Sequence, residues 1–89
     1  MGNTIEVLNE FGKKNVKILM RPLDKKTILI EGNKDALKFL AQLILAQIDE
    51  KDCGLQIGPA AAGSNFFESK SNLGLYIHRV PCVHKRKNK

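Results

Sequence analysis

Residues 27–48 read TILIEGNKDALKFLAQLILAQI, and the passage from the first five of these residues to the rest decides the fold. TILIE alternates like a strand, with Ile28 and Ile30 expected to face the core together, because successive side chains of an extended chain point to opposite sides. Gly32 ends that run. Asn33 is a good helix N-cap, since its side-chain oxygen can accept from an otherwise orphan amide of the first turn, and Asp35 is favourable against the helix dipole. The spacing predicts a helix over residues 33–48. On it Leu37, Leu40, Ala41, Ile44 and Ile48 form one apolar stripe, broadened by Phe39, Leu43 and Ala46, while Lys38 and Gln42 mark a narrow solvated face with Leu45 beside it. Such a helix must lie across a sheet, and its surplus apolar surface calls for cover by a loop or a second copy.

Toward the N-terminus, TIEVLNEF at residues 4–11 places Ile5, Val7 and Phe11 on one parity and Thr4, Glu6 and Glu10 on the other. This is expected to be a first strand, although Leu8 and Asn9 have the opposite characters to those required. After the polar turn Gly12-Lys13-Lys14-Asn15, VKILMR alternates Val16, Ile18 and Met20 against Lys17 and Arg21, as the second strand of a hairpin should. Pro22-Leu23-Asp24-Lys25 supplies the next turn and leads into TILIE.

Toward the C-terminus, Asp49-Glu50-Lys51-Asp52 closes the helix in a charged turn. CGLQIG gives a short strand with Leu55 and Ile57 inward, and LGLYIHRV a last one with Leu73, Leu75 and Ile77 opposed to Tyr76, His78 and Val80. Between them runs the long loop PAAAGSNFFESKSN. Its Phe66 and Phe67 either pin the loop to the core or form a knob for a partner. The expected order is β-β-β-α-β-β: an α+β two-layer sandwich, a mainly antiparallel sheet of about five strands with one long helix on one face. Residues 1–84 are expected to form a single domain and residues 85–89 a disordered basic tail.

The formal charge of +6 suggests nucleic acid until its placement is considered: Lys85, Arg86, Lys87 and Lys89 carry four of those charges, so the folded body is mildly basic. Lys13, Lys14, Lys17, Lys25 and Lys26, together with Lys85, Arg86 and Lys87, are the residues that could gather phosphates. Against this, the chain has no Trp and one Tyr, and so lacks the aromatic platform that single-strand readers use. No apolar run is long enough to span a bilayer, and the first ten residues lack the basic and apolar segments of a cleaved signal, so no membrane partner and a cytoplasmic location are expected. Two cysteines, Cys53 and Cys82, are too few for a disulfide framework and are expected as separate thiols in a reducing compartment.

His78, Cys82 and His84 would share one face if the chain stayed extended through Pro81. Zinc, however, usually takes four ligands at spacings such as C-x2-4-C with H-x3-5-H, which are not present, and Cys-His catalysis needs an orienting third group that nothing here marks. No metal, no cofactor and no catalytic residue are expected, and the chain is read as a non-enzyme. The phosphate-cradling patterns G-x-x-x-x-G-K-[ST] and G-x-G-x-x-G are absent.

TILIEGNKDALKFLAQLILAQ followed by a short strand, a loop and LGLYIHRVPC resembles small bacterial proteins of the immunity-protein 32 family, over about residues 27–80. In that family a strand ending in a Gly-Asn/Asp-Lys turn leads into a Leu-rich helix. The resemblance implies a bacterial protein that binds a cognate toxin and neutralises it by occlusion. Members often carry a His-and-Asp-bearing segment after the helix, where this chain reads CGLQIGPAAAG, so no binding residue is carried over. Interface cores favour aromatic and Arg anchors, which selects Phe66, Phe67, Tyr76, His78 and Arg79 as partner-binding residues. A small nucleic-acid-binding domain is the alternative, and a homodimer through surplus helix surface a further option.

Overall fold

The computed structural model describes residues 3–82. Its elements in chain order are α1 (Thr4–Gly12), β1 (Leu19–Pro22), β2 (Ile28–Glu31), α2 (Lys34–Ile48), β3 (Gly54–Ile57), a single 3-10 turn (Ser64–Phe66) and β4 (Leu75–His78). The fold is α+β, but the expected five-stranded sheet under one helix is corrected to two helices and two separate two-stranded antiparallel sheets, β1–β2 and β3–β4.

The correction begins at residue 4. Thr4, Ile5 and Val7 are β-branched, which favours an extended chain, yet the segment is helical because its start is capped from both directions. The Asn3 side chain accepts from the Glu6 amide at 2.9 Å, and the Glu6 carboxylate accepts from the Asn3 amide at 3.3 Å. Thr4 adds a long-range tie, donating its amide (2.7 Å) and hydroxyl (3.1 Å) to the Glu50 carboxylate beyond α2. Burial follows the helical period: Thr4, Val7 and Phe11 are inside, and Ile5, expected inside, is 66% exposed.

Helix α2 starts as expected, with the Asn33 side chain accepting from the Ala36 amide at 2.9 Å. It is turned differently about its axis. The face it buries is Ala36, Phe39, Leu43, Ala46 and Gln47, so Leu37, Ile44 and Ile48 from the expected core stripe are left about half exposed. Phe39 decides this orientation. Its ring stacks on Phe66 at 4.4 Å and meets Phe11 of α1 at 5.6 Å, a three-ring spine that joins both helices to the long loop. Each fully buried large side chain in this core, Phe11, Phe39, Ile18 and Leu43, is worth about 1.5–3 kcal/mol.

Val16, Ile18 and Met20 are buried, as their parity predicts, whereas Ile28 and Ile30 of β2 are exposed and Leu29 is the half-buried residue. The hairpin pairs Leu19 with Glu31 through to Pro22 with Ile28. On the other side of residues 18–20 lies the long loop. Ile18 donates to Phe66 O (2.8 Å) and accepts from the Glu68 amide (2.7 Å), forming a parallel bridge with Phe67. Buried Ser71 then accepts from the Met20 amide and donates to Ile18 O, both at 3.0 Å. The loop therefore substitutes for the missing sheet strands by satisfying backbone groups that α1 cannot reach. Gly74 closes it: a Cβ there would lie 2.6 Å from Ile57 O and 2.7 Å from the Gly58 Cα.

Candidate functional site

Strands β3 and β4 pair Gly54 with His78, Leu55 with Ile77, Gln56 with Tyr76 and Ile57 with Leu75. One more backbone bond extends the ladder, from the Arg79 amide to Cys53 O at 2.7 Å. Cys53 thus sits beside His78 at the end of the sheet. Residues 80 and 81 form a bend, and Cys82 returns to Cys53, with the two Cα atoms 6.0 Å apart and the sulfurs bonded. The expectation of two separate thiols is corrected here. It rested on cysteine count and compartment, which are blind to the β3–β4 pairing and the bend that bring residues 53 and 82 together.

His78 completes the cluster. Its Nε2 lies 3.4 Å from Cys53 Sγ, and one ligand atom from each of Cys53, His78 and Cys82 falls within 4.8 Å of the others. The Tyr76 ring is nearly parallel to the imidazole (11°), with centroids 5.7 Å apart. Gly54 makes this possible, because a Cβ there would lie 2.9 Å from Tyr76 ring carbons. Sequence reasoning placed His78 with Cys82 and His84 and named Cys53 as the other thiol without a reason to bring it near them. The signal was available in the register: once residues 54–57 pair with 75–78, the residue before Gly54 falls opposite Arg79.

The other candidate residues are dispersed. Phe66 and Phe67 are buried and pin the loop to the core, the first of the two alternatives stated for them, so in this fold neither ring faces outward. Arg79 holds the end of α2: its Nη1 donates to the carbonyls of Gln47 (3.1 Å), Ile48 (3.1 Å) and Glu50 (2.7 Å), a cation on the negative end of the helix dipole. Tyr76, 63% exposed, and His78 do face solvent. Lys14 lies over the Phe11 ring at 5.0 Å and Lys17 donates to Asn65 O at 2.7 Å, while Lys13, Lys25 and Lys26 are exposed at two different turns. His84, Lys85, Arg86 and Lys87 lie outside the described residues.

Among the described residues, α2 carries more exposed large apolar side chains than any other element. Leu37 (45%), Ile44 (44%), Leu45 (49%) and Ile48 (54%) project away from Phe39 and Leu43. Leu37, Ile44 and Ile48 follow i, i+7, i+11 and so line up along one side of the helix. Lys34 and Lys38, both exposed, edge that side at i, i+4 spacing. No described helix is long and apolar enough to cross a membrane. No family model matches the chain, and comparison with curated proteins and with solved structures likewise finds no match.

Proposed function

We propose that this chain is a non-enzymatic bacterial protein-binding module that neutralises a toxin by covering it in the cytoplasm. The single observation that supports binding is the outward aliphatic side of α2, Leu37, Ile44 and Ile48, on a helix whose neighbouring face, Ala36, Phe39, Leu43 and Ala46, already fills the core. Apolar surface left in a row on one helix is a cost in water that a partner removes. Lys34 and Lys38 at its edge, with the positive charge of the whole chain, favour a partner surface with an acidic rim. The toxin as partner class comes from the resemblance over about residues 27–80. The anchors differ from those expected of aromatic residues: Phe66, Phe67 and Arg79 serve the fold, and α2 supplies aliphatic ones.

The test is capture from the source cell lysate at about 200 mM salt with nuclease, followed by reconstitution of the captured protein with pure wild-type chain and with Ile44→Lys. The substitution lies at an exposed position and should leave the fold intact, as circular dichroism would verify. A stoichiometric complex weakened at least about tenfold by Ile44→Lys, with the partner's toxicity suppressed only by the wild type, supports the proposal. Unchanged binding by Ile44→Lys overturns the α2 surface. Recovery of nucleic acid alone, at about 50 mM salt, overturns the protein-binding reading in favour of the basic residues.

A further inference from the structure

We infer that Cys53, His78 and Cys82 form a redox-gated site for a soft divalent cation of the zinc type. The disulfide is the oxidised state, in which both sulfurs are engaged with each other, and the dithiol the metal-binding state. Two thiolates and one neutral imidazole are a zinc donor set, at about 2.3 Å for sulfur and 2.0–2.1 Å for nitrogen. Around a tetrahedral ion these lengths put a sulfur and a nitrogen ligand about 3.5 Å apart. The observed separation of Cys53 Sγ and His78 Nε2 is 3.4 Å, already the edge of such a tetrahedron.

The site is prepared in advance by the fold. Cys53 is buried and its carbonyl is fixed by the Arg79 amide, with Arg79 itself held by three carbonyls of the α2 end. The His78 ring lies nearly parallel to that of Tyr76, and its Nε2 approaches Cys53 Sγ. An exposed histidine on a strand normally has free choice of rotamer. This one aims Nε2 at sulfur, and the glycine opposite it leaves room for the aromatic ring beside it. Three donors fix three positions of the ion, and the fourth is left to water or to a further donor.

The chemistry balances without a hidden reagent. Two equivalents of a low-molecular-weight thiol reduce the Cys53–Cys82 bond, yielding the two protein thiols and one molecule of the small disulfide. Zn2+ then replaces the two thiol protons, which are released to solvent, and His78 donates a lone pair. In reverse, a small disulfide takes two electrons from the bound thiolates, Cys53 and Cys82 rejoin, two protons and the oxidant become two small thiols, and Zn2+ leaves. In a reducing compartment the bond is held open and the metal form is favoured.

The experiment uses the full, untagged chain, reduced under anaerobic conditions, freed of reductant and exposed to Zn2+, with bound metal counted after desalting and Co2+ as a spectroscopic substitute. One zinc per reduced chain, none above background on the oxidised chain, and a thiolate-to-Co2+ charge-transfer band are expected. His78→Asn keeps both cysteines and their bond, so its oxidised form should fold as the wild type does, and its reduced form should bind Zn2+ at least about tenfold more weakly. The inference is overturned if the reduced wild type holds no more zinc than Cys53→Ser/Cys82→Ser, or if His78→Asn binds with unchanged affinity.

Discussion

The two sheets of this protein are built in opposite ways. Strands β1 and β2 are neighbours in the chain, joined by residues 23–27, and the turn carries its own bonds: the Leu23 amide to Thr27 O at 2.8 Å and the Lys26 amide to Asp24 Oδ1 at 2.8 Å. Strands β3 and β4 are separated by the long loop 58–74 and meet only because distant residues hold them: Cys53 to Cys82, Arg79 to the end of α2, and Gly58 against Gly74. Closing a short turn costs little chain entropy, while a longer loop costs more and needs ties that offset it. The residues able to do chemistry gather at the sheet that needs the ties. A cysteine pair placed to hold strands together also brings two sulfurs to a histidine on the same strands.

The largest expected effect would erase the difference between the sheets. Phe39 is fully buried and touches Phe11 and Phe66, through which α1, α2 and the loop share one core. Phe39→Ala should cost about 3–5 kcal/mol, and amides of both sheets should lose hydrogen-exchange protection together. If β1–β2 kept its protection while β3–β4 lost it, the single shared core would be the wrong description.

A smaller effect should separate them. Cys53 and Cys82 are 29 residues apart, and opening their bond by Cys82→Ser should cost roughly 2–4 kcal/mol, measured by urea unfolding in the presence of a chelator. The loss should appear first in amides of β3, β4 and the Arg79 contact with Cys53 O, with the β1–β2 hairpin protected until global unfolding. Equal loss in both sheets would mean that the cross-link acts on the whole chain and not on the distant pair.

The same contrast explains what could be read from the sequence. The Asn33 cap, the α2 helix, and the inward parity of Val16, Ile18 and Met20 are set by neighbours within a few residues, and each was legible. The segment 4–11 was misread: its β-branched residues speak locally for a strand and outweighed the Asn3-x-x-Glu6 capping pattern, which the sequence does display, while the tie of Thr4 to Glu50 is visible only in the fold. The orientation of α2 was hidden for a related reason. Two apolar sides are present on that helix, and only Phe11 and Phe66 from elsewhere in the chain select Phe39 over Leu37. Of the site, His78 and Cys82 were visible as neighbours in sequence, whereas Cys53 enters only through the β3–β4 register.

The smallest expected effect concerns the local pair and tests whether its turn is self-sufficient. Asp24 is fully exposed, and its carboxyl is held below the ordinary value of 3.8, first by the Lys26 amide and then by the Thr27 hydroxyl, both of which favour the charged form. A carboxyl depressed in the folded state adds stability that is complete above its unfolded value and is lost as pH falls through the folded one. The β1–β2 turn should therefore loosen only below about pH 4, read from the amide shifts of Lys26 and Thr27 during an acid titration. Asp24→Asn retains an acceptor for the Lys26 amide but cannot titrate, so the same shifts should stay flat over that range. β3 and β4 owe nothing to this carboxylate, and their amides should be unchanged by the substitution at every pH. A matching response there would mean that the hairpin turn and the cross-linked sheet are coupled, and that the local pair is not independent of the distant one.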